Sequence, residues 1–230
     1  MPEHFIIGIT GPKGAGKDTV ADHLVAEHGF IKLAFADELR KQVSDAFNVP
    51  QELLTERETK EYPLSTLALN RCWDMAFVQH LRGLHAHGML HGEERGTPLD
   101  INAPRSPRQI TQWWGTEYRR HCKPNYWLAC LRAKLEIYTS NGHHRIVIPD
   151  VRMRNEADLV TELRGRLWQV IRPGFEPQPG AHSSETSGKE LHPAFTLLNN
   201  RDTAALHRQA RKSLTTAFPD LAIIQTGAAA

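Results

Sequence analysis

The sequence predicts an α/β fold: a mostly parallel sheet with helices on both faces. Three observations carry that expectation. Short β-branched runs alternate with segments of helical period; the first run closes in the glycine-rich stretch Gly11 to Gly16 and leads straight into a helical pattern; and a later run, RIVIPD, ends in a carboxylate. Strands joined by helices must run parallel, because each crossover carries the chain back over a face of the sheet.

Taken in order, Phe5–Ile9 is a short apolar, β-branched run and reads as a buried strand. From Asp18 the apolar positions Val20, Ala21, Leu24 and Val25 fall at helical spacing, and Gly29 stands where a helix-ending glycine is favoured. A second strand over Phe30–Phe35 and a helix over Ala36–Phe47, with Asp37 near its start, follow. The pattern weakens after Pro50. A helix is predicted from about Leu67 to Leu84, then an exposed loop over 85–104, rich in Gly, Pro, His and charge. Ser106 is the expected N-cap of a helix reaching His121, with Pro107 at its first position, where a missing N–H costs nothing. A further helix spans Tyr126–Tyr138. Then come the strand Ile146–Ile148, a helix near Asn155–Arg164, a strand Leu167–Ile171, a polar stretch Pro173–Leu191, a strand Phe195–Leu198 and a helix Thr203–Ala217.

With 230 residues, 40% of them hydrophobic and 23% charged, the chain can bury one core unaided and reads as a single domain. Lys and Arg number 28 against 26 Asp and Glu, a net charge of +2 that gives no bulk reason to expect nucleic acid. Cys72, Cys122 and Cys130 have no paired spacing, so neither a disulfide framework nor a zinc ribbon is expected, and a reducing cytoplasm fits. No run approaches the roughly 18 apolar residues of a membrane span, and the first ten residues lack the pattern of a secretory leader. Whether the chain forms a homodimer is left open.

The strongest motif is GPKGAGK, placed after a strand and before a helix. Glycines at that spacing let backbone N–H groups turn inward on phosphates, and the helix start adds positive potential. Lys17 is placed to reach the terminal phosphates. Gly11, Lys13, Gly14, Ala15, Gly16, Lys17, Asp18 and Thr19 thus form the expected cradle for a triphosphate, which the family resemblance given below implies to be that of ATP. Where the usual sequence has Ser or Thr after the lysine, this one has Asp18. It could hold magnesium, directly or through water, or serve as an ordinary helix-start acid.

Guanine recognition would call for Asn-Lys-x-Asp after a late strand. Asn199, Asn200, Arg201 and Asp202 lack the lysine; the asparagines read instead as a strand end and Asp202 as the cap of the last helix. Asp150, at the carboxyl end of a parallel strand, lies at the edge where open α/β sheets bind ligands, and is the expected second metal or water organiser. Arg152 would neutralise a transferring phosphoryl group through paired hydrogen bonds. The bland alternative is an acid and an arginine that pin a loop. On the helix SPRQITQWWGTEYRR, Arg108, Gln112 and then Gly115 or Thr116 follow at about one-turn spacing, where an acceptor phosphate and a base edge could be read. Gly115 would give the ligand room. Trp113 and Trp114 read as core, and Arg119 and Arg120 as a solvated face.

GPKGAGKDT, FADELRKQ, RSPRQITQWWGTEYRR, IPDVRMRNEAD, RPG and HSSE, in that order, resemble the phage-type deoxynucleoside monophosphate kinases, which also carry Lys-Asp-Thr in the phosphate loop. Residues from about 49 to 104 match no motif of that family. The resemblance implies a P-loop kinase fold, with a helical acceptor-binding lobe over 48–125 and a cover over 173–191, although an ordinary linker fits that stretch as well. It implies transfer of the ATP γ-phosphoryl group to a deoxynucleoside 5′-phosphate with Mg²⁺. Arg40, Lys41, Arg108, Gln112, Thr116 and Glu156 are then acceptor-binding, and Lys17, Asp150 and Arg152 catalytic. Phosphomevalonate kinases share the Lys-Asp loop and an Asp-Val-Arg element and remain a rival. So does an ATPase module with no small-molecule acceptor. Partners are expected to be nucleotides rather than membranes or nucleic acids.

Overall fold

The computed structural model describes residues 4–56, 58–94, 96–174 and 191–221. Its central strand is β1 (Phe5–Thr10), buried along its whole length. Strands β3 (Arg145–Ile148) and β4 (Arg166–Ile171) pair with it on either side, β2 (Ile31–Lys32) joins β3, and β5 (Phe195–Leu198) joins β4; every pairing is parallel, in the order 2-3-1-4-5.

Because side chains alternate across a strand, each face of β1 meets a different layer. Phe5, Ile7 and Ile9 enter one cluster with Val147, Trp168, Val170 and Leu197 of the neighbouring strands. Over that face lie α1 (Lys17–His28), through Val20, Ala21 and Leu24, and α7 (Thr203–Ala217), through Leu206, Ala210 and Leu214. On the opposite face, Gly8 meets α6 (Arg154–Glu162) so closely that a Cβ there would sit 2.8 Å from Val160 Cγ2. Helices thus cover both faces of a parallel sheet, as the sequence predicts, and the glycine loop leaves the central strand. Edge strand β5 is closed by Gln209, which accepts from the Leu198 N–H and donates to the Leu198 carbonyl, both at 2.9 Å. No helix among the described residues is long and apolar enough to cross a membrane.

The chain divides into two compact units, residues 1–35 with 131–230, and residues 36–130. The first holds the sheet. The second contains most of α2 (Phe35–Phe47), α3 (Met75–Ala86), α4 (Pro107–Gln112) and the start of α5 (Tyr126–Ser140). Residues 175–190 of the expected cover lie outside the described residues.

Two predicted elements differ. The second strand is two residues long rather than six, because Leu33 makes a last sheet bond, to the Val147 carbonyl at 2.9 Å, and the Phe35 N–H then donates to the Asp150 carboxylate at 3.0 Å. That acceptor lets α2 begin at Phe35. The helix expected from Leu67 is broken into turns at Ser65–Leu67 and Leu69–Arg71, and α3 starts only at Met75. There Asp74 caps it by accepting from the Phe77 N–H at 3.0 Å, and the Asn70 N–H is spent on the Ile101 carbonyl. A side-chain cap fixes where a helix can begin, and apolar spacing alone does not see it.

Three histidines occupy the seam between α1 and α7. The His23 ring, 6% exposed, stacks on His207 at 4.0 Å and meets His28 edge-on at 5.5 Å. Among the described residues, His23 Nε2 and both ring nitrogens of His28 are buried without a hydrogen-bond partner. Burial lowers the His23 pKa, with His207, His28 and Arg211 adding to the effect against an opposing Glu27. Burial likewise lowers that of His28, with Arg211 and Arg145 adding and Glu27 opposing. These rings stay neutral in the fold where unfolded ones would take a proton, so the unfolded state binds more protons below about pH 6.5 and stability rises with pH there. Their contribution is whole above about pH 6.5 and fades as the pH falls from there. We expect the thermal midpoint to drop by several degrees from about pH 7.5 to about pH 5.5, and His23→Phe to drop less. Equal slopes for the two proteins would refute this assignment.

Candidate functional site

Between β1 and α1 the chain makes the turn that GPKGAGK calls for. Gly11, Gly14 and Gly16 have φ of 141°, 78° and 107°, conformations open to glycine and strained for other residues. A Cβ on Gly11 would run into the Val170 carbonyl, and one on Gly16 would lie 2.7 Å from Asn199 Nδ2. Gly16 is the N-cap of α1 and offers no side-chain acceptor. An anion placed at the first turn of α1 would meet backbone N–H groups there, and the helix dipole would act on it favourably. Lys17 folds over the loop and donates to the carbonyls of Gly11 and Pro12, both at 2.7 Å. The glycine geometry, the uncapped helix start and the ammonium fit a phosphate tail.

Asn199 holds this loop from the far end of the sequence. Its Nδ2 donates to the Ala15 carbonyl at 2.8 Å, so that carbonyl is committed outward. Nothing in the sequence pairs Asn199 with Ala15; it was legible only as a residue at a strand end. Asp202 caps α7, as the sequence predicts, accepting from the Ala205 N–H at 2.7 Å.

The residues expected around the transferred group are spread over this unit in several roles. Asp18 Oδ1 lies 3.1 Å from Lys32 Nζ, which also reaches Asp22 at 2.9 Å. Asp150 accepts the Phe35 N–H. Arg152 is exposed, and no carboxylate among the described residues pairs with its guanidinium. Glu156 is 2% exposed, and its Oε2 accepts from the N–H groups of Arg152 at 2.7 Å and Met153 at 3.0 Å. An acid in the first turn of α6 is thus spent on holding the loop that presents Arg152.

In the unit of residues 36–130, Arg40 pairs with Asp37 at 3.3 Å and Lys41 with Asp45 at 2.6 Å, one turn away on the same helix. Arg108 pairs with Glu61 at 2.6 Å. Gln112 and Thr116 are half-buried. The register linking them changes after Gln112, because Trp113–Arg120 is π-helical. Its bonds close over five residues rather than four, which rotates Thr116 away from the face an α-helix would give it. Gly115 makes room for Leu39 rather than a ligand: a Cβ there would lie 2.5 Å from Leu39 Cδ1. Trp113 and Trp114 are core residues, each 1% exposed.

Arg119 belongs to no solvated face. Its guanidinium lies over the rings of Tyr118, Trp114 and Tyr126 at 4.5, 5.2 and 5.2 Å, and Nε donates to Gln42 Oε1 at 3.0 Å. The same oxygen accepts from Trp114 Nε1 at 3.1 Å, while Gln42 Nε2 donates to Glu38 at 3.1 Å and to Tyr126 Oη at 2.8 Å. A single carboxamide thus ties FADELRKQ to WWGTEYRR. Among the described residues no three His, Cys, Asp or Glu gather as metal ligands, so a divalent ion would take its remaining ligands from phosphate and water.

Glu156→Ala should leave two partly buried N–H groups without this acceptor, at a cost of about 1 kcal/mol or more. We expect a clear fall in the thermal midpoint together with a fall in kcat, as the Arg152 loop loses its hold. A selective rise in an acceptor's KM with unchanged stability would return Glu156 to direct binding.

No protein-family model matches the chain. A protein of Acanthamoeba polyphaga mimivirus, provisionally named a deoxynucleotide monophosphate kinase, is 26% identical over 215 residues, covering 89% of this chain and 93% of that protein. Among solved structures, an unliganded sugar kinase from a Janibacter species aligns at a TM-score of 0.43 and 14% identity, covering 96% of this chain and 98% of that one. TT1252 from Thermus thermophilus aligns at 0.47 and 16% identity, covering 94% and 98%. The resemblance to the deoxynucleoside monophosphate kinases that the motifs carry thus meets, in the mimivirus protein, a similarity that runs nearly the length of both chains.

Proposed function

We propose that this chain is a kinase that transfers the γ-phosphoryl group of ATP to the 5′-phosphate of a deoxynucleoside monophosphate, giving the diphosphate. The observation that carries the kinase reading is the loop itself: three left-handed glycines, an uncapped α1 and a lysine lying across them. The choice of acceptor rests on the RSPRQITQWWGTE motif and on the name given to the mimivirus relative.

An acceptor phosphate is largely dianionic near neutral pH, its second pKa being about 6. The nucleophilic oxygen therefore needs no base. Acceleration comes from holding donor and acceptor in line and from offsetting charge on the moving group. In this reading the loop amides and Lys17 hold the ATP phosphates, and Arg152 meets the transferring group. Glu156 fixes the Arg152 backbone, and Asp150 holds the start of α2. Arg108 and Gln112 take the acceptor, with Arg40, Lys41 and Thr116 on the same unit. Asp18 and Asp150 are the carboxylates that would hold Mg²⁺, through water. When bound, Mg²⁺ adds positive charge against the phosphate oxygens.

A coupled assay offering each deoxynucleoside monophosphate, and phosphomevalonate separately, should show turnover with a deoxynucleotide and none with phosphomevalonate. Turnover of phosphomevalonate alone, or ATP hydrolysis indifferent to every acceptor, would overturn the proposal. Lys17→Ala should lower kcat/KM by a factor on the order of a hundred or more at unchanged thermal midpoint. Arg108→Ala should raise the KM of the acceptor more than that of ATP. A change confined to the ATP term would reverse the division between donor and acceptor residues.

A further inference from the structure

We infer that Lys32 is a positioning residue of the phosphate loop: it holds the Asp18 carboxylate and offsets its charge, so that an acid can follow Lys17 without weakening the hold on a triphosphate. The inference rests on the loop being the ATP site. Lys17 opens α1, so Asp18 is its second residue. Side chains on a helix lean toward its N-terminus, which carries this carboxylate toward the end where the loop amides lie. Ser or Thr in that place would be neutral; Asp18 puts a full negative charge beside the position of the phosphates. With a carboxylate this exposed the effective dielectric is close to that of water, and repulsion over about 5–8 Å is then worth roughly two- to fourfold in affinity for each phosphate charge.

The structure places the compensation on a different element. Lys32, in β2, reaches across with its ammonium 3.1 Å from Asp18 and 2.9 Å from Asp22. Burial acts to lower its pKa, but hydrogen bonds to Asp22 and Asp18 outweigh it and hold the ammonium above its usual range. Asp18 and Asp22 stand four residues apart on one helix, a like-charge spacing that is unfavourable by itself. A lysine that served only to steady α1 would treat the two acids alike. A lysine that serves the loop would not, because Asp22 lies a full turn, about 5.4 Å, farther from the bound anion.

This difference is measurable with ATP alone. Binding is followed by calorimetry at low ionic strength with a chelator present, so that neither divalent metal nor acceptor enters the result. Lys32→Met should weaken ATP binding about three- to tenfold, Asp18→Asn in the Lys32→Met background should restore it, and Asp22→Asn should leave it at the wild-type value. The Lys32→Met deficit should shrink at about 0.5 M salt, where charges this exposed are screened. The inference is overturned if Lys32→Met binds as tightly as the wild type, if Asp18→Asn fails to suppress the loss, or if Asp22→Asn weakens binding equally. If Lys17→Ala abolishes binding while Lys32→Met is unaffected, the role of Lys32 falls and the loop stands. A wild-type protein that binds no ATP overturns both.

Discussion

Everything at the first unit's candidate site depends on where the backbone amides between Gly11 and Lys17 point. A peptide chain turns its N–H groups inward only if the carbonyls are committed elsewhere and the dihedrals are allowed. Glycine meets the second condition at Gly11, Gly14 and Gly16. The first is met from both outside and inside the loop: Asn199 takes the Ala15 carbonyl and packs where a Gly16 Cβ would be, while the Lys17 ammonium takes the carbonyls of Gly11 and Pro12. The end of β5 is therefore as much a part of the loop as the glycines are, and the parallel order of the sheet is what brings them together.

The same logic of committed polar groups explains which residues the sequence could reveal. The glycine loop was legible because its geometry is written in local spacing: glycines, a lysine and a helix start all fall within a few residues. The sheet was legible because β-branched runs ending in Gly or Asp mark strands whatever their neighbours. Ser106 and Asp202 were legible as caps for the same local reason. Glu156 was not, because a first-turn acid looks identical whether it faces a ligand or holds two N–H groups of the preceding loop. Gly115 misled in the same way: absence of a side chain signals close approach, yet not of what, and here it is Leu39.

Arg119 and Gln42 are the sharper case. An arginine beside a second arginine at the end of a helical run has the composition of a solvated face. What holds it is the aromatic character of Trp114, Tyr118 and Tyr126 together with a glutamine 77 residues away. The π-helical stretch that aligns these rings is a departure from regular geometry that no period of 3.6 residues foretells. In the 36–130 unit, motifs that look like ligand contacts in the sequence are partly contacts with one another.

That distinction reshapes what the shared motifs mean. A charged or amide side chain can belong to a functional motif because it touches substrate or because it fixes the element that does, and its partners within the fold help to tell which. Glu156 is buried and Gln42 half-buried, both committed to such partners, whereas Arg152 stands exposed on a loop whose backbone Glu156 holds. Such a division suits phosphoryl transfer, where positioning and fixed charge supply most of the acceleration. An enzyme of that kind needs few groups on the substrate and many behind them, because a guanidinium displaced by an ångström no longer matches the oxygens it must neutralise.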